Sequence, residues 1–177
     1  AGRRETLIRH RDETVAARAR KLLEGAGAAD RLEAVRRYET ALAGLIGDRQ
    51  RGAAVYRQTC SVCHRVGGEG FDVAPSLAGA KRGTPELISS ILDPNKDVQA
   101  NFAAYAVVTK DETIFTGIVV AETANSVTLR RSGGAQDTIL RRDIETMAST
   151  GKSLMPEGLE ATLTPQQVAD VIAYIQA

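Results

Sequence analysis

The chain holds two cysteines and two histidines, and three of these four residues stand together as Cys60-Ser61-Val62-Cys63-His64. Two thiols and an imidazole at this spacing support three kinds of chemistry: thiol–disulfide exchange, coordination of a metal ion, or attachment of a cofactor. The fourth residue, His10, lies in an Arg-rich stretch near the start of the chain and reads as a surface group. The site must therefore be built around residues 60–64.

The three chemistries make different demands on the surrounding sequence. A dithiol redox pair expects a strand before the motif and a βαβ context; here the residues before Cys60 read as helix. A structural zinc site wants four ligands, and no second Cys/His pair is present. Cys-x-x-Cys-His is the attachment signature of c-type haem. Thiols two residues apart reach both vinyl groups of one porphyrin, and the adjacent imidazole is then held against the iron as a ligand. The spacing predicts one covalent haem c on Cys60 and Cys63, with His64 as an iron ligand.

The elements that position this motif follow from hydrophobic periodicity. Residues 3–24 are rich in Arg, Glu, Ala and Leu and predict a helix with Ile8, Val15, Ala19 and Leu22 on one face, ended by Gly25-Ala26-Gly27. Asp30 is read as the cap of a second helix, with Leu32, Val35, Tyr38, Leu42 and Leu45 on its apolar side. Gly47-Asp48 starts a third helix that runs into Cys60. Gly67, Gly68, Gly70, Gly79 and Gly83, with Pro75, make the next stretch a loop. Thr84-Pro85-Glu86 opens a helix carrying Leu87, Ile88 and Ile91, and Asp93-Pro94-Asn95 stops it. From about Phe102 to Met147 the pattern changes to short β-branched runs separated by turn residues, which predicts a small antiparallel barrel or curled sheet. Gly117 marks a bulge or bend in it. Thr164-Pro165-Gln166-Gln167 is a capping box that starts the last helix, buried through Val168, Val171, Ile172 and Ile175.

Composition narrows the function classes. Of 177 residues, 43 % are hydrophobic and 25 % charged, an ordinary globular balance. Aromatic residues are only 4 %, with no Trp, so an apolar cofactor would supply core material the chain lacks. A net charge of +1 argues against nucleic acid as a partner. No apolar run is long enough to span a membrane, and no secretory signal is read ahead of the body. The start at Ala1 reads either as a mature terminus or as a cut within a longer chain.

The stretch Gly52-Ala53-Ala54-Val55-Tyr56 before the motif, and Val73-Ala74-Pro75-Ser76-Leu77 after it, resemble the class I cytochromes c. In that family a small residue and an aromatic on the first helix cross the last helix, roles that Gly52, Tyr56 and Tyr174 match. The resemblance implies that the Pro75 carbonyl accepts a hydrogen bond from the His64 imidazole. A narrower likeness runs over the last two-thirds of the chain. Arg51-Gly52 to His64, Ile91-Leu92-Asp93-Pro94-Asn95, the β-rich middle and Ser153-Leu154-Met155-Pro156-Glu157-Gly158-Leu159 occur in the same order in the C-terminal haem-binding domains of large planctomycete and verrucomicrobial proteins. Ala74-Pro75 stands where that group usually has Gly-Pro.

These likenesses imply a mainly α cytochrome c fold over residues 48–177, with a β-rich insert over 102–147. Residues 1–47 would add two N-terminal helices, read as the end of a repeat array. They imply Met155 as the sixth iron ligand, presented from a loop before the last helix and followed by proline. Met147 is the other thioether candidate and is read as a packing residue, while Lys152 is an alternative ligand at high pH. The implied function is a periplasmic one-haem electron carrier rather than an enzyme, exchanging single electrons with redox partner proteins, a dehydrogenase domain among them. A haem-based sensor or small-ligand-binding module is the alternative class. The β-rich part is read as a partner-docking site in preference to a structural brace.

Overall fold

The computed structural model describes residues 3–23, 28–78 and 82–177, with backbone alone for residues 3–5, 21–23, 28 and 29. Gly25-Ala26-Gly27, Gly79 and the Leu22 side chain, invoked above, lie outside what is described. Three helices precede the motif: α1 (Arg3–Ile8), α2 (Glu13–Leu23) and α3 (Ala28–Leu42). The single helix expected over 3–24 is broken because the Asp12 carboxylate accepts the backbone N–H of Thr14 at 2.8 Å and caps a new helix. Ala16 and Ala19 form its buried side, while Val15 is exposed. Asp30 falls inside the first turn of α3 rather than at its cap.

α4 (Arg49–Val55) is capped by Asp48, which accepts the N–H of Arg51. It runs on through one π-helical turn, Tyr56–Cys60, directly into the motif. A two-residue hairpin follows, β1 (Arg65–Val66) with β2 (Glu69–Gly70), and then α5 (Thr84–Leu92). α6 (Pro165–Ile175) begins at the expected Thr164–Gln167 capping box. The main core gathers Val35, Tyr38 and Leu42 of α3, Val55 and Tyr56, Leu87, Ile88 and Leu92 of α5, and Val168, Val171, Ile172 and Ile175 of α6. α3 is thus a wall of this core.

Five antiparallel strands form the sheet: β3 (Ala103–Thr109), β4 (Ile114–Glu122), β5 (Ser126–Arg130), β6 (Gln136–Leu140) and β7 (Ile144–Ser153), in the order β6-β5-β4-β3-β7. With 42 % helix and 25 % strand, the fold is not the mainly α one expected. The shortfall lies chiefly in β7. Its second half, Ala148-Ser149-Thr150-Gly151-Lys152-Ser153, carries no alternating apolar pattern, yet it pairs with β3 as far as Ala103–Ser153.

The expected barrel does not close either. β6 and β7 are the two edges, joined only by Arg141–Asp143. A flat five-stranded sheet is about 19 Å wide, whereas the chain from Leu140 to Ile144 reaches about 14 Å at most. The sheet must curl for that connection to exist, but no ladder joins its edges. The curl is made in β4. Residues up to Gly117 pair with β3, those from Ile118 pair with β5, and the register slips between Val119 and Ala121. A side chain at Gly117 would meet the Arg130 carbonyl. Val107, Val127, Leu129 and Ile139 fill the curled face, with Met147 packed against them.

α4 and α6 cross at Gly52, where a Cβ would collide with the Asp170 carbonyl. The Asp170 carboxylate, 2 % exposed, receives the Arg51 guanidinium through Nε at 2.7 Å and Nη2 at 2.9 Å. It also accepts the Asp48 N–H at 2.8 Å and the Gln166 amide at 2.9 Å. The Arg51 hydrogen bonds, opposed by burial, hold its pKa down at about 2.

Two outcomes follow. Gly52→Ala should lower unfolding stability by about 3 kcal/mol, while Gly44→Ala, in open space, should leave the chemical denaturation midpoint unchanged. Because the folded state depresses the Asp170 pKa, its stabilisation is complete above about pH 4 and is lost as pH falls toward 2. Asp170→Asn should cost about 2 kcal/mol at neutral pH and flatten the acid limb of the stability curve.

Candidate functional site

The π-helical turn inserts one residue ahead of the motif, with the Ser61 N–H bonded to the Tyr56 carbonyl at 2.9 Å. Cys60 then starts a tight turn whose carbonyl accepts the N–H groups of Cys63 and His64, at 3.1 and 2.9 Å. Tyr56, fully buried, holds this turn from below. Its hydroxyl lies 2.7 Å from the His64 carbonyl and 3.0 Å from that of Glu69. Its ring packs on Tyr174 with centroids 5.3 Å apart. The Gly52, Tyr56 and Tyr174 crossing is therefore present as expected.

The loop after the motif folds back over it. The Cys63 carbonyl accepts the N–H groups of Val73 and Ala74, at 3.0 and 2.9 Å. Leu77 N–H bonds the Arg65 carbonyl at 2.9 Å. These bonds bring the Pro75 carbonyl to 2.8 Å from His64 Nδ1. A carbonyl can only accept, so Nδ1 carries the proton and the lone pair is left on Nε2. Burial pushes the His64 pKa down, against the Pro75 hydrogen bond, and so favours the neutral, ligating form.

Cys60, Cys63, His64, Pro75 and Met155 all line one cavity of about 470 Å³, a size typical of a small-molecule site. Val73, Phe102, Ile118, Leu154 and Leu159 add apolar surface to it. Met147 is not among its lining residues and sits in the sheet core, paired with Val107. The methionine loop is tied down by Asn95, which the sequence reading placed at a helix stop and in one of the likeness motifs without giving it a role at the site. Asn95 accepts the Ser153 N–H at 2.8 Å and donates to the Glu157 carboxylate at 2.6 Å, one residue on each flank of Leu154-Met155-Pro156. The Met155 N–H bonds the Ser153 hydroxyl at 3.0 Å. No local pattern marks this role, because the two partners lie 58 and 62 residues further along the chain.

The sheet is fastened to the motif. In the β5–β6 turn the Gly133 N–H donates to the Val62 carbonyl at 2.7 Å, and the Ser132 hydroxyl lies 3.4 Å from Cys63 Sγ. Arg130 reaches the Asp72 carbonyl at 2.6 Å, and Gly134 lies against the Phe71 ring. These contacts fasten the sheet to the Cys63 side of the cavity. His10 is not among the residues that line the cavity, and it accepts the Asp12 N–H at 3.1 Å.

The donor set fits a covalently held haem: two free thiols, an imidazole with an available Nε2, and a thioether, around one largely apolar cavity. Burial pushes the Cys60 thiol up to about 11, so at neutral pH it is not the thiolate that a dithiol redox centre needs. Among the described residues no three His, Cys, Asp or Glu side chains gather to hold a metal ion. No described helix is long and apolar enough to cross a membrane.

Residues 47–112, just over a third of the chain, match the family model for cytochrome c oxidase, cbb3-type, subunit III. No curated protein matches the chain. The family match supports a cytochrome c domain, that is, a haem-binding electron-transfer module, and it implies covalently bound haem c. It covers the motif, the Pro75 loop and α5, and stops at the turn between β3 and β4.

Gly70 tests the turn directly. It adopts a φ of 92°, and a Cβ there would collide with the His64 carbonyl and the Tyr56 hydroxyl. Gly70→Ala should cost about 3 kcal/mol, read by chemical denaturation, and lower the yield of haem-loaded protein. Gly68→Ala, in open space, should do neither.

Proposed function

We propose that the chain is a one-haem c-type cytochrome module that carries single electrons between a dehydrogenase and a downstream acceptor in a periplasmic compartment. The observation that carries this reading is the convergence on one cavity of Cys60, Cys63, the oriented His64 and Met155. The ordered likeness to planctomycete and verrucomicrobial haem-binding domains supports it further. The bound haem would supply the one-electron chemistry, and the protein would set its potential.

Each residue has a defined task. Cys60 and Cys63 hold the porphyrin by thioether bonds. His64 presents Nε2 to the iron, and the Pro75 carbonyl fixes its ring and raises its basicity. Met155 provides the soft sixth ligand, held in place by Asn95. Val73, Ile118 and Leu159 give the cavity apolar lining, which would favour a high potential along with a His/Met pair. His64 and Met155 would hold the iron from the chain itself, as a carrier requires, whereas a sensor would keep one of these positions open or displaceable.

The colour of correctly matured protein should resist acid–acetone extraction; freely extracted pigment would refute covalent attachment. Ferric protein should show the weak near-infrared band of His/Met haem. Met155→Ala should abolish that band, lower the potential by about 100 mV or more, and open the iron to carbon monoxide in the ferrous state. Met147→Ala should keep the band and lose about 2 kcal/mol of stability from the sheet core. The opposite pattern would reassign the ligand.

A further inference from the structure

α3 lies wholly ahead of the stretch matched by the cytochrome family. Two of its side chains nevertheless end on the segment between Met155 and α6. Arg31 Nη2 contacts Glu160 Oε1 at 2.6 Å, and its Nη1 is 3.4 Å from the carbonyl of Leu92, the last residue of α5. About two turns later, the Tyr38 hydroxyl lies 2.6 Å from the Leu163 carbonyl and 3.2 Å from that of Glu160. Leu159, beside Glu160, lines the cavity.

The ion pair is buried, with side chains 10 % and 12 % exposed. Among the described residues Arg31 Nε and Glu160 Oε2 have no hydrogen-bond partner. A buried pair met through one contact, with a donor and an acceptor unsatisfied, offsets little of its own desolvation. Two apolar side chains would hold α3 to the core at least as well, as Val35, Tyr38 and Leu42 already do. What an apolar contact cannot supply is direction. The guanidinium joins three points: α3, the end of α5 and the loop after Met155.

The geometry points to α3 as a clamp on the axial-ligand loop, with Arg31 as its positioning residue. Asn95 ties Ser153 and Glu157 on either side of Met155, and the clamp fixes the following stretch, Glu160 to Leu163, against α3 and α5, so Met155 stays at the cavity. This inference rests on the reading of Met155 as the sixth ligand and extends it to residues outside the cytochrome-like stretch.

The test uses the full haem-loaded chain carrying Arg31→Gln, Arg31→Lys or Tyr38→Phe. Amide hydrogen exchange at Ala161, Thr162 and Leu163, whose N–H groups bond within the loop, reports loop opening whatever the iron ligand is. Arg31→Gln should speed it about tenfold or more, equivalent to roughly 1.4 kcal/mol. The amides of Gly52 and Gln176, on α4 and at the end of α6, should keep their rates. In guanidinium the near-infrared band should be lost well before far-UV dichroism, a gap narrow in the parent protein. Arg31→Lys should recover part of the effect, since an ammonium reaches Glu160. Unchanged loop exchange, or equal acceleration of loop and helix amides, would overturn the clamp. Should Arg31→Gln not fold, Tyr38→Phe decides by the same comparison. A parent protein without the near-infrared band would refute Met155 as ligand, and the exchange data would still decide the clamp.

Discussion

The close approach of α4 to α6 at Gly52 is the constraint on which the rest depends. No side chain fits between the helices there, so their backbones meet and the direction of α4 is set by α6. Arg51 and Asp48 lock the crossing by converging on the buried Asp170 carboxylate. The π-helical turn at Tyr56–Cys60 then leads straight from α4 into the two thiols and His64. Tyr56 sits in the same short path, packed on Tyr174 of α6 and bonded under the His64 carbonyl. The position of the imidazole is thus referred, through three consecutive structural steps, to the C-terminal helix.

The cavity is built from loops, and loops are the least determined part of a fold. Here each is secured by polar side chains ending on main-chain atoms. Tyr56 holds the His64 and Glu69 carbonyls, Asn95 holds the Ser153 N–H, Arg130 holds the Asp72 carbonyl, and Tyr38 holds the Leu163 carbonyl. Single hydrogen bonds of this kind contribute only about 1 kcal/mol each. Their effect is to select one loop conformation from many, leaving the apolar cavity lining free of polar obligations. The sheet serves the same end on a larger scale. Its curl is imposed by the short β6–β7 link, and its β5–β6 turn donates a backbone N–H to the motif at Val62.

The chemistry was legible because it lies in contiguous residues. Cys60, Cys63 and His64 declare themselves by spacing, and the Thr164 capping box fixes the start of α6 from four residues. The Pro75 hydrogen bond needed the family likeness, since nothing local marks a carbonyl as an acceptor, and the likeness likewise singled out Met155, which the fold brings to the cavity. What was not legible is what depends on distance along the chain. β7 was cut short because pairing with β3, rather than side-chain pattern, extends it to Ser153. The break between α1 and α2 rests on one Asp12 cap inside a stretch of strong helix formers. Asn95 and Arg31 look like ordinary loop and surface residues until the fold brings their partners to them, from Glu157 and Glu160.

A one-electron carrier works best when both oxidation states share one ligand geometry, because any rearrangement adds to the barrier for transfer. This places a demand on the protein that binding alone does not. An apolar cavity of about 470 Å³ would retain a porphyrin through burial and its two covalent links, with the loops free to breathe. The polar ties found here exceed that need. His64 is oriented by Pro75, the turn that carries it is gripped by Tyr56, and the methionine loop is held at both flanks by Asn95 and further along by Arg31 and Tyr38. None of these groups need touch the reacting iron. All of them tie down His64 or the loop that carries Met155, which is what the proposed electron-carrying role asks of the chain.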